Sequence, residues 1–392
     1  MSPLSLPLHS LEPAKPAPGP TRIKEPNAEV LQTPYTAAQL ALRYGFPVLT
    51  EPSKFWVAII ELSTPMGTGY SPKDVTKYCK QLGIKEPPTE SIDILPATNK
   101  FTGNKPGSAD GEYALDIQVV AGATLGNVGL LLINAPNRGG FQKSLKKLLT
   151  YKLPDGGQLS AVSYSWGLDE RNNDPADMKA CDSLMEQLLE KHITTFTASG
   201  DDGSRDDPDG NSGQLLNVDY PSSSPYAFGC GGTTITPEDF DTEIAWTYGG
   251  GGISQVYDAP PWQAPIVANE IPKSNGKRCV PDGAMDADPN SGYTIILNGR
   301  QYIFGGTSAV APMWAAWKAA TDAVAGENLK FSAEAAYALK GKMTDITEGT
   351  NGAYKAKIGC DLCTGIGVPN EAFTKAWLAE NGVTYSPKKS KE

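Results

Sequence analysis

The sequence predicts an α/β fold with a mostly parallel central sheet. Short apolar, β-branched runs alternate with helical patterns from residue 36 to residue 198, and alternation at that spacing implies βαβ units. The chain has 392 residues, 40% of them hydrophobic and 20% charged, which is ordinary globular usage and enough to bury a large core.

Residues 1–33 repeat proline (PAKPAPGP) with few large apolar side chains, and read as an extended, disordered segment. The folded unit is expected over 34–385, with no linker that would split it. It opens at Thr36, a suitable N-cap for the helical spacing of TAAQLALRYGF. Residues 55–62 (FWVAIIEL) read as a buried strand and 71–82 as a helix. A second helix begins near Gly111, with Asp110 as its N-cap. A strand at 128–133, a helix at 141–149 and a strand near 161–165 follow. Residues 175–190 form an amphipathic helix, with Asp174 as N-cap and Pro175 at the first helical position. Residues 193–198 read as a strand, 210–299 as loop-rich chain, and 308–324 as a long Ala-rich helix. Residues 386–392 read as a flexible tail.

Composition narrows the function. Lys+Arg is 34 and Asp+Glu is 44, a formal charge of −10. Such a surface argues against nucleic acid and anionic membrane as partners. No apolar run approaches the 18 residues of a membrane-spanning helix, and residues 1–30 lack the charged start and apolar core of a signal peptide. Six cysteines are too sparse for a disulfide scaffold, and the lone close pair, Cys360 and Cys363, is weak evidence for zinc. Only two histidines occur, His9 in the Pro-rich start and His192 where a helix gives way to a strand. That scarcity argues against a Ser-His-Asp hydrolase, a His-rich zinc enzyme and a haem protein.

Four segments could carry chemistry. In Asp110-Gly-Glu112-Tyr-Ala-Leu-Asp116, Glu112 and Asp116 fall at i and i+4, on one helix face. If partly buried they would share a proton and one pKa would rise; the bland reading is two surface acids near a helix start. In Gly305-Gly306-Thr307-Ser308, the glycines permit a tight turn and Ser308 opens a helix, where backbone N–H groups favour negative charge. A nucleophile is often placed so, although Ser308 could equally be a cap. The GxSxG pattern of the nucleophile elbow is absent. Ser199-Gly-Asp201-Asp-Gly203 puts Asp201 at the carboxyl end of a strand, either a ligand position or an Asx turn. The acids that follow (Asp206, Asp207, Asp209) miss the EF-hand spacing and read as a solvated loop. Finally, Asp345 and Asp361 flank a Gly-rich loop full of carbonyl oxygens, which suits a hard cation such as Ca²⁺ or a plain surface turn.

Together and in this order, these segments resemble the sedolisin (serine-carboxyl) peptidases, particularly the kumamolisin-like branch. GTSAVAP, SGDxG and ExxxD form a specific set, and AIIEL, SYSWG, DYPSSSPYAFGCGGT, PDGAMDADPNSGY and GCDLCTGIGVP agree. The resemblance runs from Tyr35 to about Thr384. It implies a subtilisin-like three-layer sandwich. It also implies an endopeptidase with Ser308 as nucleophile, Glu112 as general base, Asp116 orienting Glu112 and sharing its proton, and Asp201 as oxyanion donor. Glu61 and Trp166 would support the carboxylate network. Ser163, Ser165 and Gly167 would line the substrate. Asp345, Asp361 and the carbonyls of Ile346, Lys357 and Gly359 would hold one structural Ca²⁺. Lys357 and Cys360 stand where the family often has glycine and an aromatic residue. The family also implies a large N-terminal pro-domain, whereas about 34 residues precede the domain here.

The chemistry agrees with the resemblance. A serine hydroxyl needs a base, and a carboxylate serves near its own pKa of ~4.3 rather than ~6.5 for imidazole, so the working pH is expected to be acidic. Asp201 can donate to an oxyanion only while protonated. Expected substrates are proteins or peptides, the expected state is a monomer, and the family points to an extracellular or acidic compartment. An ester-cleaving acyl hydrolase and a non-catalytic peptide-binding protein on this scaffold remain the alternatives.

Overall fold

A computed structural model describes residues 34–63, 68–103, 109–206, 215–236 and 241–386. The expectations for 1–33, for Asp207 and Asp209, and for all of the tail beyond residue 386 lie outside them.

The expected parallel sheet is present. Its strands are β1 (Phe55–Ser63), β2 (Thr89–Asp93), β3 (Gly129–Pro136), β4 (Gln158–Tyr164), β5 (Thr194–Ala198), β6 (Ala227–Ile235), β7 (Glu243–Ala245) and β8 (Gly283–Asp286). The order across the sheet is β8-β6-β5-β4-β1-β3-β2, all parallel, with β7 pairing antiparallel to β6. Strand β1 is buried on both faces, which explains its unbroken apolar run. Val57 and Ile59 face one core, and Trp56, Ala58, Ile60 and Leu62 face the other.

Helices cover both faces. On the first lie α1 (Ala37–Arg43), α2 (Pro72–Leu82), α3 (Ala109–Ala123) and, after a long excursion, α6 (Thr307–Ala325). On the second lie α4 (Gly140–Leu148) and α5 (Pro175–Glu190). The predicted caps at Thr36 and Asp174 are present. Thr36 forms a capping box with Gln39, and Asp174 accepts from the N–H groups of Ala176 and Asp177. Helix α3 is buried from Asp110 to Ala123, and α6 through its first sixteen residues, so these two helices fill the centre. The small side chains of α6 let it lie close to the sheet.

Three expectations are corrected. Residues 210–299 are not merely loop-rich, because they supply β6 and β8 of the main sheet. Asp110 is not a cap. It sits inside α3, where its buried carboxylate accepts from Gly69 N at 3.0 Å and Thr102 N at 2.9 Å. Asp206 is not solvated but buried, with left-handed φ of 48°.

Candidate active site

The carboxyl ends of the parallel strands and the buried helices α3 and α6 converge on one polar cluster. Ser308 is the second residue of α6 and is fully buried. The turn before it needs glycine: Gly306 has φ of 111°, and a Cβ there would lie 2.5 Å from Asp201 Oδ2. Asp201 follows β5. Its Oδ1 accepts from both the N–H and the hydroxyl of Thr307, each at 2.8 Å, while its buried Oδ2 has no partner. Thr307 thus aims Asp201 at the start of α6. Burial pushes the Asp201 carboxyl up to about 7 despite these donors.

Glu112 and Asp116 lie one turn apart on α3, both buried. Asp116 Oδ2 accepts from Ser165 Oγ at 2.7 Å. Both oxygens of Glu112 lack a hydrogen-bond partner of good geometry. The Ser308 hydroxyl is close enough to favour the ionised form of Glu112, yet it points at the Ser165 carbonyl, 3.4 Å away. A small rotation would turn it to Glu112. Glu61, at the end of β1, accepts from Trp166 Nε1 at 2.9 Å. Burial raises all three carboxyls, and their mutual charge raises Glu61 and Glu112 further. Three acids so close together in a dry site hold protons that isolated acids would lose.

Serine 165 also touches α6. Its Oγ lies 3.2 Å from the Ser308 carbonyl oxygen. That carbonyl is free because residue 312, whose N–H would bond it in a regular helix, is proline. Serine 163 is buried in β4 with its hydroxyl unpartnered. Gly167 passes so close to buried Asp219 that a Cβ would meet its carboxylate at 2.1 Å. Asp206 and Asp219 also flank Gly200, 3.0 and 3.6 Å from the position of a Cβ there, so two buried acids pack beside Asp201. Burial raises both carboxyls; neighbouring acids, Asp169 first, raise Asp206 further and the charge of Asp206 raises Asp219. Asp219 escaped the sequence reasoning, having only its place in DYPSSSP as a signal. His192 lies before β5, at the opposite edge of the sheet, and cannot serve the cluster.

Asp345 and Asp361, expected to flank a cation loop, both contact residues 357–359. Asp345 Oδ2 accepts from Gly359 N at 2.8 Å, and Asp361 Oδ2 from Lys357 N at 3.0 Å, so both carboxylates reach the same segment. The carbonyl oxygens of Ile346, Lys357 and Gly359 accept no backbone hydrogen bond from the described residues. Three spare carbonyls and two carboxylates are a hard-oxygen donor set that fits Ca²⁺. Glu270, unforeseen, also grips this loop: it accepts from Cys360 N at 2.5 Å and pairs with Lys340. All six cysteines are free and buried, Cys360 and Cys363 included.

Known proteins share this arrangement of chain. Kumamolisin from Bacillus sp. (strain MN-32) is 35% identical over 355 residues, 86% of this chain and 62% of the relative. The chain is similar to the sedolisins over most of its length. Sedolisin itself, from Pseudomonas sp. (strain 101), is 26% identical over 81% of this chain and 57% of its own length. The chain therefore spans about three fifths of the length of these curated relatives. A solved Pseudomonas sedolisin, described as a serine-carboxyl proteinase complexed with pseudo-iodotyrostatin, superimposes with a TM-score of 0.74 at 24% identity over 90% of this chain and all of that one. Sphericase follows at 0.55 and 14%, over 88% of this chain and 99% of its own. These likenesses establish the subtilisin-like fold. No family model matches the chain.

Proposed function

We propose that this chain is a serine-type endopeptidase of the sedolisin family that cuts peptide bonds at acidic pH. One observation carries the reading: Ser308, the Glu112/Asp116 pair and Asp201 meet in a buried cluster that no histidine among the described residues reaches. Ser308 Oγ attacks the scissile carbonyl carbon and passes its proton to Glu112, while Asp116 shares the charge of the pair. The oxyanion takes a hydrogen bond from protonated Asp201, whose free Oδ2 faces the turn into α6. Glu112 then returns the proton to the leaving amine, leaving an acyl-enzyme on Ser308. A water, deprotonated by Glu112, attacks the acyl carbon; the bond to Ser308 Oγ breaks, Glu112 returns the proton to Oγ, and the acid product leaves.

The buried carboxyls of Asp206 and Asp219, packed beside Gly200, would favour a basic side chain near the cut bond, although protonation weakens them as pH falls. Ca²⁺ would be held by Asp345, Asp361 and the carbonyls of Ile346, Lys357 and Gly359, bracing the loop rather than taking part in the chemistry. Substrates are unfolded proteins or peptides, and the acid requirement points to an acidic or extracellular setting. Among the described residues no helix is long and apolar enough to cross a membrane. The decisive assay is digestion of an unfolded protein at about pH 4, near the carboxylate pKa. Ser308→Ala and Glu112→Gln should each abolish turnover. Full activity in either variant ends the assignment.

A further inference from the structure

Helix α1 supplies no member of the catalytic cluster, yet its last contacts lead there. Tyr44 directly follows α1 and is buried. Its hydroxyl donates to Glu243 Oε1 at 2.7 Å and accepts from the N–H of Asp286 at 2.7 Å. Burial first, then the charge of Glu243 and Asp286, raises that hydroxyl well above its ordinary range, so it keeps the proton it gives to Glu243. Glu243 is itself fixed: Thr233 donates to the same oxygen at 2.6 Å, and Arg43 pairs with the other at 3.3 Å. Asp286 is the last residue of β8, so it lies at the carboxyl edge of the sheet, as the cluster does. Every backbone N–H and C=O of Asp286 and Ala287 is bonded. Tyr44 takes the Asp286 N–H, and the Tyr293 hydroxyl donates to the Asp286 carbonyl at 2.8 Å. The Ala287 N–H donates to Thr233 O at 2.8 Å, and the Ala287 carbonyl accepts the N–H of Gly306 at 2.6 Å. Gly306 stands two residues before Ser308.

We infer that Tyr44 and Tyr293 are positioning residues for the reaction: by holding the N–H and the carbonyl of Asp286 they set the turn that aims Ser308. The inference rests on the peptidase reading. Neither hydroxyl bonds a member of the cluster, so both act through the backbone. The contact they control is close. A Cβ on Gly305 would lie 2.4 Å from both the Ala287 oxygen and the Pro289 nitrogen, so the turn rests directly on residues 287–289. The start of α6 needs such outside support, because Pro312 withholds the N–H that would bond the Ser308 carbonyl. Tyr293 extends the support to the base. Its carbonyl accepts from Phe304 N at 2.8 Å, and the Phe304 ring lies 3.1 Å from the Cβ position of Gly111, next to Glu112. A nucleophile displaced by about 1 Å can lose roughly a hundredfold in rate, so a bond this far from the chemistry still reaches it. A hydroxyl that merely satisfied buried groups would alter the melting temperature and leave the chemistry alone.

The test is Tyr44→Phe and Tyr293→Phe in the full chain, each keeping the ring and losing one oxygen. Tyr78→Phe is the control: its hydroxyl is also buried, faces Gly122 of α3 and has no hydrogen-bond partner. Turnover of one peptide substrate is followed at about pH 4, at a temperature where melting shows each variant folded. Tyr44→Phe and Tyr293→Phe should each lower kcat about tenfold with KM within about twofold, because the turn serves the transition state and not substrate binding. The rate at which a covalent serine-directed probe labels Ser308 should fall by a similar factor. Tyr78→Phe should match wild type in both. Folded variants that keep wild-type kcat and labelling, or that change KM alone, overturn the inference. An equal loss in Tyr78→Phe would make the effect one of core packing and overturn it too. If Tyr44→Phe does not fold, Tyr293→Phe decides by the same readings. Undiminished turnover by Ser308→Ala would instead remove the peptidase reading itself.

Discussion

At Ser165 one proton faces two acceptors. Its hydroxyl lies 2.7 Å from Asp116 Oδ2 and 3.2 Å from the Ser308 carbonyl, and a hydroxyl donates once. Both contacts are hydrogen bonds only when Asp116 carries a proton and donates it to Ser165. Protonation of Asp116 therefore ties Ser165 to the nucleophile's own backbone, at the point where Pro312 leaves that carbonyl open. When Asp116 is ionised, Ser165 holds its charge instead, which lowers a pKa that burial raises. Ser165→Ala removes that donor, so the acid limb of the kcat/KM profile should move to higher pH. Stability should fall by about 1–3 kcal/mol, the cost of an unsatisfied buried group. An unmoved acid limb would show that Ser165 only fills space. The second prediction concerns Asp201. In Asp201→Asn the amide oxygen can still accept from Thr307 while the nitrogen replaces the free Oδ2 as a donor at every pH. Turnover should then persist above pH 7, where the wild-type carboxyl, at about 7, has ionised. A profile that declines at the same pH as wild type would assign that limb elsewhere. Ser308, Glu112, Asp116 and Asp201 were singled out through the resemblance their motifs carry together, since each motif alone left a plain structural reading open. Thr307 and Asp219 were not, since they matter only through contacts across the fold, and any threonine or aspartate looks alike along a chain.

Among the elements, legibility tracked the strength of the apolar signal. Strand β1 and helix α5 were plain, one through its unbroken apolar run and the other through its Asp-Pro start. Strand β2 (TESID) is polar and lies at the sheet edge, so it carries no apolar run. Strand β6 holds three glycines in AFGCGGTTI, which read as turn signals; there they admit close neighbours instead, Pro281 against Gly231 and Trp246 against Gly232. Strand β8 is four residues long and held by its parallel register with β6. The cation loop belongs at this scale too, because it is held by several segments at once. Asp345, Asp361 and Glu270 grip residues 357–361, and Lys340 neutralises Glu270. If Ca²⁺ fills the remaining oxygens, a chelator should lower the melting temperature, by mass action about 2.7 kcal/mol of stability for ion at a hundred times its Kd. Asp345→Ala should lower it similarly and make it insensitive to chelator. A wild-type melting temperature that ignores chelator would mean that Glu270 and its lysine hold the loop without metal.

Taken whole, the molecule buries many acids and few compensating cations. Arg278 pairs with Asp282 and Lys318 with Asp322 in the interior, but Glu61, Glu112, Asp116, Asp201, Asp206, Asp219 and Asp286 form no ion pair among the described residues and are all raised, chiefly by burial, with Arg171 only partly offsetting the rise at Asp206. A carboxyl whose folded pKa exceeds its unfolded value binds its proton more tightly in the native state. Its contribution is complete below the unfolded pKa and is lost as pH rises through the folded one. For Asp201 that window runs from 3.8 to about 7, roughly 4 kcal/mol at 1.36 kcal/mol per unit. The formal charge of −10 adds self-repulsion on the alkaline side of the same window. The protein should therefore melt at a higher temperature at pH 4–5 than at pH 7–8, the reverse of a protein held by surface ion pairs. Asp201→Asn, which cannot ionise, should recover part of the loss at neutral pH and flatten the curve. Thermal unfolding followed from pH 4 to pH 8, with Ca²⁺ held constant, reads this directly. A melting temperature that climbs steadily across that range would mean the buried acids are ionised and paired in ways the fold does not display, and the acid chemistry of the active site would lose its physical basis with them.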